Sequence, residues 1–169
     1  LCAKQKIPYR DIAAENIQGR RAETPVEHVK GGVLHDYVPL FFGARPPMLY
    51  AVNKDGVPQD SIVYLIVEWS VLDLPTTIFT DGNASSGKTR HYCGCSPVGI
   101  VDFEAARAIQ WGGSENEELR RKKAAEVLAW ERVEPERIRA VAVRTEAMKN
   151  HLATKIDRPI LVALEWYYP

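Results

Sequence analysis

The chain has 169 residues, 46% hydrophobic and 26% charged, which suits one globular domain with a sizeable core. Its 22 basic residues balance 22 acidic ones, arguing against a protein that coats nucleic acid through bulk positive charge. No segment approaches the ~18 apolar residues needed to span a membrane, and no secretory signal is visible in the sequence. Three cysteines, an odd number, argue against a disulfide framework and for a reducing cytosol, so a cytoplasmic protein is expected.

In chain order, residues near Arg10 to Ala22 read as a helix, with Ile12, Ala13 and Ile17 on one side and Pro25 beyond its end. Val38 to Phe42, Ile62 to Val67 and Thr76 to Thr80 read as strands, rich in β-branched and aromatic residues. Helices follow at Phe103 to Gln110 and Glu115 to Ala125, then strands at Val127 to Trp130 and Ile138 to Val143, a helix at Glu146 to Thr154 and a strand at Ile160 to Trp166. Strands outnumber the helices available to cross between them, so an α+β fold with a mixed central β-sheet flanked by helices fits better than a doubly wound one.

The segment Thr80 to Thr89 supports two incompatible readings. Literally, Gly82 to Thr89 spells the phosphate-cradling pattern G-x-x-x-x-G-K-T of a P-loop nucleotide hydrolase or kinase. That mechanism needs a strand before the loop and a helix after it. The strand is present, but Gly94, Pro97 and Gly99 follow and would break a helix begun at Lys88. Without a helix N-terminus the phosphate loses its aligned amides and the favourable dipole.

Two other stretches concentrate chemistry. His35 to Tyr50 packs aromatic rings and prolines into a rigid wall suited either to a planar ligand or to a proline-bounded core strand and turn. The run Arg120 to Lys123 follows the acidic Glu115 to Glu118 and reads as a solvated helix face with supporting ion pairs. His91, Cys93 and Cys95 evoke a metal site, but a structural zinc needs four ligands and no second pair follows, so no metal is expected.

Taken together, Ile17 to Arg21, Asp36 to Pro39 with Phe42, Arg45 to Tyr50, Phe79 to Ala84 and Arg121 to Leu128 resemble, in this order, the DarT-type DNA ADP-ribosyltransferases, toxins of toxin–antitoxin pairs. The resemblance implies an ADP-ribosyltransferase-like fold that uses NAD as co-substrate and attaches ADP-ribose to a base of single-stranded DNA. It implies Glu126 as the catalytic glutamate and Arg21 as the NAD-binding arginine, with Arg20 as the alternative one position away. The wall containing Tyr37, Phe42 and Met48 falls in the family's NAD-binding region, and Asp81 to Cys95 in its substrate-recognition loop.

In that loop Asp81, Asn83, Lys88, Thr89, Arg90, His91 and Tyr92 are the candidate DNA-binding residues. Asn83 offers a donor and an acceptor to a base edge, Lys88 and Arg90 suit phosphates, and His91 and Tyr92 can stack on an unpaired base. The family carries an earlier N-terminal NAD-binding segment that this chain, a single domain over 1–169, is expected to lack. A macrodomain antitoxin is the implied protein partner.

Overall fold

A computed structural model of the chain describes residues 15–28, 30–94 and 96–169. Among the described residues, seven strands form two sheets. The first has the order β1 (Tyr37–Phe41), β5 (Glu126–Trp130), β3 (Ile78–Thr80) and β4 (His91–Cys93), with every neighbouring pair antiparallel. The second places β6 (Ile138–Val143) between β2 (Tyr64–Val67), antiparallel to it, and β7 (Ile160–Val162), parallel to it. The α+β architecture is the expected one. The single mixed sheet resolves into an antiparallel sheet and a smaller mixed one.

Position within the sheets explains the residue patterns. β5 is paired on both edges by β1 and β3, and a core covers each face of the sheet, with Val127 and Ala129 buried on one side and Leu128 on the other, so the strand reads as a continuous apolar run instead of an alternating one. β6 is central in the other sheet and shows the same pattern from Ala140 to Val143. One core gathers Val71, Leu72, Phe79, Val101, Ala125, Val127 and Ala129 on one side of the first sheet. A second gathers Val26, Leu34, Tyr37, Ile78, Ala84 and Leu128 on the other.

Five α-helices among the described residues flank the sheets: α1 (Glu15–Glu23), α2 (Pro47–Lys54), α3 (Phe103–Arg107), α4 (Glu117–Lys123) and α5 (Glu146–Ala153). The first part of the expected Arg10 to Ala22 helix lies outside the described residues. α3 begins where Asp102 accepts the Ala105 amide at 2.9 Å, and α5 where Thr145 accepts the Met148 amide at 3.2 Å, both side-chain N-caps. α2 is a departure from expectation: the proline-rich wall turns into a helix, with Pro47 at its first position, where a missing N–H costs nothing. β4 is the other unexpected element, because its short stretch is hidden among glycines and a proline. The expected strand through Trp166 ends at Val162 and gives way to a 3-10 turn at Leu164–Trp166.

Two connections matter for the site. α4 runs into β5 with only Ala124 and Ala125 between, so the helix end fixes the first residue of the central strand. After β1, Gly43 crosses the end of α3 so closely that a Cβ would stand 2.5 Å from the Ala106 carbonyl oxygen.

Candidate functional site

Glu126 opens β5 opposite Phe41 of β1 and is 2% exposed. Its backbone N–H donates to the Thr80 hydroxyl at 2.9 Å, and that hydroxyl donates to the Gly82 carbonyl at 2.6 Å. The carboxylate is held from two directions. Oε1 accepts from Arg21 Nη1 and from the Ala84 amide, each at 3.2 Å. Oε2 faces Arg21 Nη2 at 3.0 Å as an ion pair, off the hydrogen-bonding line, and both atoms are buried with no aligned partner.

Burying a carboxylate is costly unless it is paired. The guanidinium, delivered from the last turn of α1, and the Ala84 amide supply that compensation. Oε2 thus has acceptor capacity that no aligned donor uses, on an atom closed off from solvent beside Nη2. Arg20, the alternative one position earlier, is exposed and takes no part in this pair.

The loop from Asp81 to Arg90 contains no helix, and the chain passes from Thr89 and Arg90 into strand β4. The P-loop reading is thereby overturned, since a strand and not a helix follows Gly82 to Thr89. Asn83, Lys88 and Arg90 are exposed. Lys88 pairs with Glu117 at 3.3 Å with both side chains open to solvent (73% and 70%), a contact of at most about 1 kcal/mol that exchanges readily. Asn83 Oδ1 accepts the Ser85 amide at 2.9 Å, which leaves its NH₂ outward.

The remaining candidates in the loop are held internally. Asp81 Oδ1 accepts from the Arg90 amide at 2.9 Å and from Arg121 Nη1 at 3.1 Å, and Thr89 Oγ1 accepts from the same nitrogen at 3.0 Å. His91 lies 3.3 Å from the Ala84 carbonyl through Nε2, and Tyr92 stacks on Phe79 with ring centroids 5.4 Å apart. Arg121 itself is 12% exposed at its side chain, and hydrogen bonds to Glu118 above all, with Asp81 next, push its pKa above the ordinary arginine value. The solvated-face reading of Arg120 to Lys123 therefore fails for two members. Arg121 turns into the loop, and Lys123 is 2% exposed, its Nζ donating to the carbonyls of Ala44 at 3.3 Å and Ala106 at 3.1 Å. Burial, with Arg45 nearby, pulls the Lys123 pKa down to about 8.

The candidates from the aromatic wall divide. Phe42 and Met48 line a largely apolar cleft of about 740 Å³ between β1, α2 and β2, with Leu40, Tyr64 and Trp69. Tyr37 is buried in the core instead, its ring edge on Trp130 and its hydroxyl donating to the Gly31 carbonyl at 3.0 Å. Neither Arg21 nor Glu126 lines the cleft. Cys93 is disulfide-bonded, which corrects the expectation drawn from the odd cysteine count. Among the described residues no three His, Cys, Asp or Glu side chains are grouped to hold a metal, and no helix is long and apolar enough to cross a membrane.

Sequence reasoning missed Thr80, the Ala84 amide, Arg121 and Lys123. Only the clustering of Arg121 and Lys123 just ahead of Glu126 offered a signal.

A two-sheet α+β domain with a buried arginine–glutamate pair under a polar loop is the arrangement of an ADP-ribosyltransferase-like fold. The family profile described as "ssDNA thymidine ADP-ribosyltransferase, DarT" matches residues 1–168, and the chain belongs to this family of DNA-modifying enzymes. It is 31% identical to the DNA ADP-ribosyl transferase of Thermus sp. (strain 2.9), over 99% of this chain and 86% of that protein. It is 28% identical to the enzyme of Thermus aquaticus, over 94% of this chain and 75% of that one.

Among solved structures, Thermus sp. 2.9 DarT in complex with ADP-ribosylated ssDNA superimposes with a TM-score of 0.86 at 30% identity, covering 99% of this chain and 86% of that one. The same protein in complex with NAD+ gives 0.85 at 28% identity, covering 99% and 87%. A Thermosipho africanus protein that fuses a DNA ADP-ribosyl transferase to a DNA ADP-ribosyl glycohydrolase is 27% identical over 73% of this chain, which spans 32% of the fusion.

Proposed function

We propose that this chain transfers ADP-ribose from NAD to a thymine of single-stranded DNA, with Arg21 and Glu126 as its catalytic residues. The observation that carries the reading is the buried Glu126 carboxylate, with one oxygen fixed by Arg21 and the Ala84 amide and the other free of aligned donors. In the reaction the bond between nicotinamide and ribose C1 breaks and nicotinamide leaves with the bonding electrons. The cationic ribose is attacked by the thymine ring nitrogen, forming the new C–N bond. Oε2, accepting from a ribose hydroxyl, stabilises positive charge as it develops. The same carboxylate takes the proton that the thymine ring N–H releases and passes it to water.

Arg21 suits the NAD diphosphate, because its planar fork can bond an oxyanion bidentately once it turns away from Glu126, which also uncovers Oε2. Arg20, exposed one position away, supplies further positive charge at the entrance. Phe42 and Met48 give the neighbouring cleft an apolar wall for a flat part of the NAD, while Tyr37 stays in the core on the other side of the sheet and supports β1. Asn83, Lys88 and Arg90 present the exposed polar and charged groups that an unpaired strand would meet. An unpaired strand also spares the enzyme the unstacking cost of flipping a base from a duplex.

ADP-ribose on the thymine ring nitrogen occupies the edge that pairs with adenine, and such a modification fits a toxin acting in the cytoplasm, with a macrodomain glycohydrolase that removes ADP-ribose as antitoxin. The fusion of these two activities in the Thermosipho africanus protein supports that pairing. Incubation with NAD and oligonucleotides that each contain a single base type tests the reading by mass. Addition of one ADP-ribose to the thymidine oligonucleotide, lost in Glu126→Gln, is the expected outcome; transfer that persists in that variant sinks it.

A further inference from the structure

Arg121 makes more polar contacts than any other side chain around the loop, and they join both of the loop's ends. Nη1 donates to Asp81 Oδ1 at 3.1 Å, to the Asp81 carbonyl at 3.4 Å and to Thr89 Oγ1 at 3.0 Å. Nε and Nη2 grip Glu118 at 2.9 and 2.7 Å, which braces the guanidinium from its own helix. The Arg121 backbone carbonyl accepts the Asn83 amide at 2.9 Å. Gly82 admits this approach, because a Cβ there would collide with Nη1 and press on Cγ and Cζ.

The consequence reaches the carboxylate. Asn83 is followed by Ala84, whose amide donates to Glu126, and Arg121 is followed within five positions by Glu126 itself. One short stretch of chain therefore fixes both the loop and the group beneath it. Lysine cannot replace the guanidinium, because a single ammonium cannot reach Asp81, Thr89 and Glu118 in one plane.

We propose that Arg121 is a positioning residue for DNA capture: it clamps Asp81 to Thr89, so that the exposed Asn83, Lys88 and Arg90 are presented to the strand in one fixed arrangement. Asp81 and Thr89 then serve the DNA through Arg121 and not by direct contact. Preorganisation of this kind lowers the ordering cost of binding, so its loss raises the KM for DNA more than it alters NAD binding. The proposal rests on the reading of this loop as the DNA-reading one.

The test measures kcat and KM for a thymidine oligonucleotide, and the Kd for NAD by calorimetry, in Arg121→Lys, Arg121→Ala, Thr89→Val and Thr89→Ser. Arg121→Lys and Arg121→Ala are expected to raise the oligonucleotide KM by about tenfold or more, the effect of losing one or two charge-assisted hydrogen bonds, with the NAD Kd within about twofold. Thr89→Val is expected to reproduce part of that rise, and Thr89→Ser, which keeps the hydroxyl, to leave KM near the parent value. A residue that merely supports the fold would lower kcat through a smaller active fraction and leave KM alone, and that result overturns the proposal, as does a NAD Kd that worsens as much as KM. The double variant Lys88→Ala/Arg90→Ala separates the two layers. If it raises the oligonucleotide KM while the Arg121 variants do not, the clamp fails alone. If neither does, the loop's DNA role fails with it. Should Arg121→Ala not fold, the contrast between Thr89→Val and Thr89→Ser decides for or against the clamp.

Discussion

Arg21 and Glu126, 105 positions apart in the chain, meet with Nη1 3.2 Å from Oε1 and Nη2 3.0 Å from Oε2, their side chains 13% and 3% exposed. Removing one member of such a pair leaves the other buried and uncompensated, which costs more than the pair's net contribution. Arg21→Ala is therefore expected to destabilise the fold by about 2–4 kcal/mol as well as abolish transfer. Glu126→Gln keeps the shape and, through its amide oxygen, the bonds from Arg21 Nη1 and the Ala84 amide, but it removes the charge that compensates the guanidinium, so its melting temperature should also fall while transfer falls by about a thousandfold. Thermal melts and mass-detected transfer on both variants check the pairing, and a Glu126→Gln enzyme that stays active contradicts it.

Thr80 controls the backbone beneath the carboxylate. It is fully buried, accepts the Glu126 N–H at 2.9 Å and donates to the Gly82 carbonyl at 2.6 Å. Valine has nearly the same shape but leaves both of those groups without a partner, at a cost of about 1–3 kcal/mol. Thr80→Val should thus lower the urea midpoint clearly, whereas Thr80→Ser, which retains the hydroxyl, should lose only the packing of one methyl. Equal losses in the two variants would show that packing and not the hydroxyl matters at this position.

The sequence disclosed what local pattern encodes. β6 was legible to the residue, and α5 to within one, because a buried apolar run and a Thr145 cap are written in adjacent positions. Glu126 and Arg21 were reachable only through resemblance, since neither carries a local signature and their meeting depends on β5 lying between β1 and β3. Arg121 and Lys123 were misread for the same reason. A basic run after an acidic one looks solvated on a helix, yet a helix that feeds directly into the central strand must turn part of its last turn inward. α2 and β4 were missed where prolines and glycines, usual breakers, instead stand at the edges of short elements.

Lys88 and Arg90 are exposed, and Lys88 holds only the solvated Glu117. If they meet phosphates, each releases counterions on binding, and the dependence of log K on log salt changes by about 0.7 per contact on a single strand. Lys88→Ala/Arg90→Ala should therefore reduce the steepness of that dependence by between about 0.7 and 1.4, measured by fluorescence anisotropy of a thymidine oligonucleotide across a salt series. An unchanged slope would place the strand elsewhere.

Lys123 makes a prediction about alkaline stability. Burial lowers its pKa from 10.5 to about 8 in the folded chain, so between those values the unfolded chain binds the proton that the folded one has released. Stability then rises with pH across that window, because the folded state no longer carries a desolvated charge. Tyr167 and Tyr168 act in the opposite sense. Burial raises both from 10.0 to about 12, the unfolded chain loses those protons first, and stability falls above about pH 10. The urea midpoint is accordingly expected to climb from about pH 8 to a maximum near about 10 and to decline beyond it. Lys123→Met keeps the apolar stem, removes the titrating group, and should flatten the climb while leaving the decline intact. A variant that climbs as steeply as the parent would assign the alkaline gain to another group.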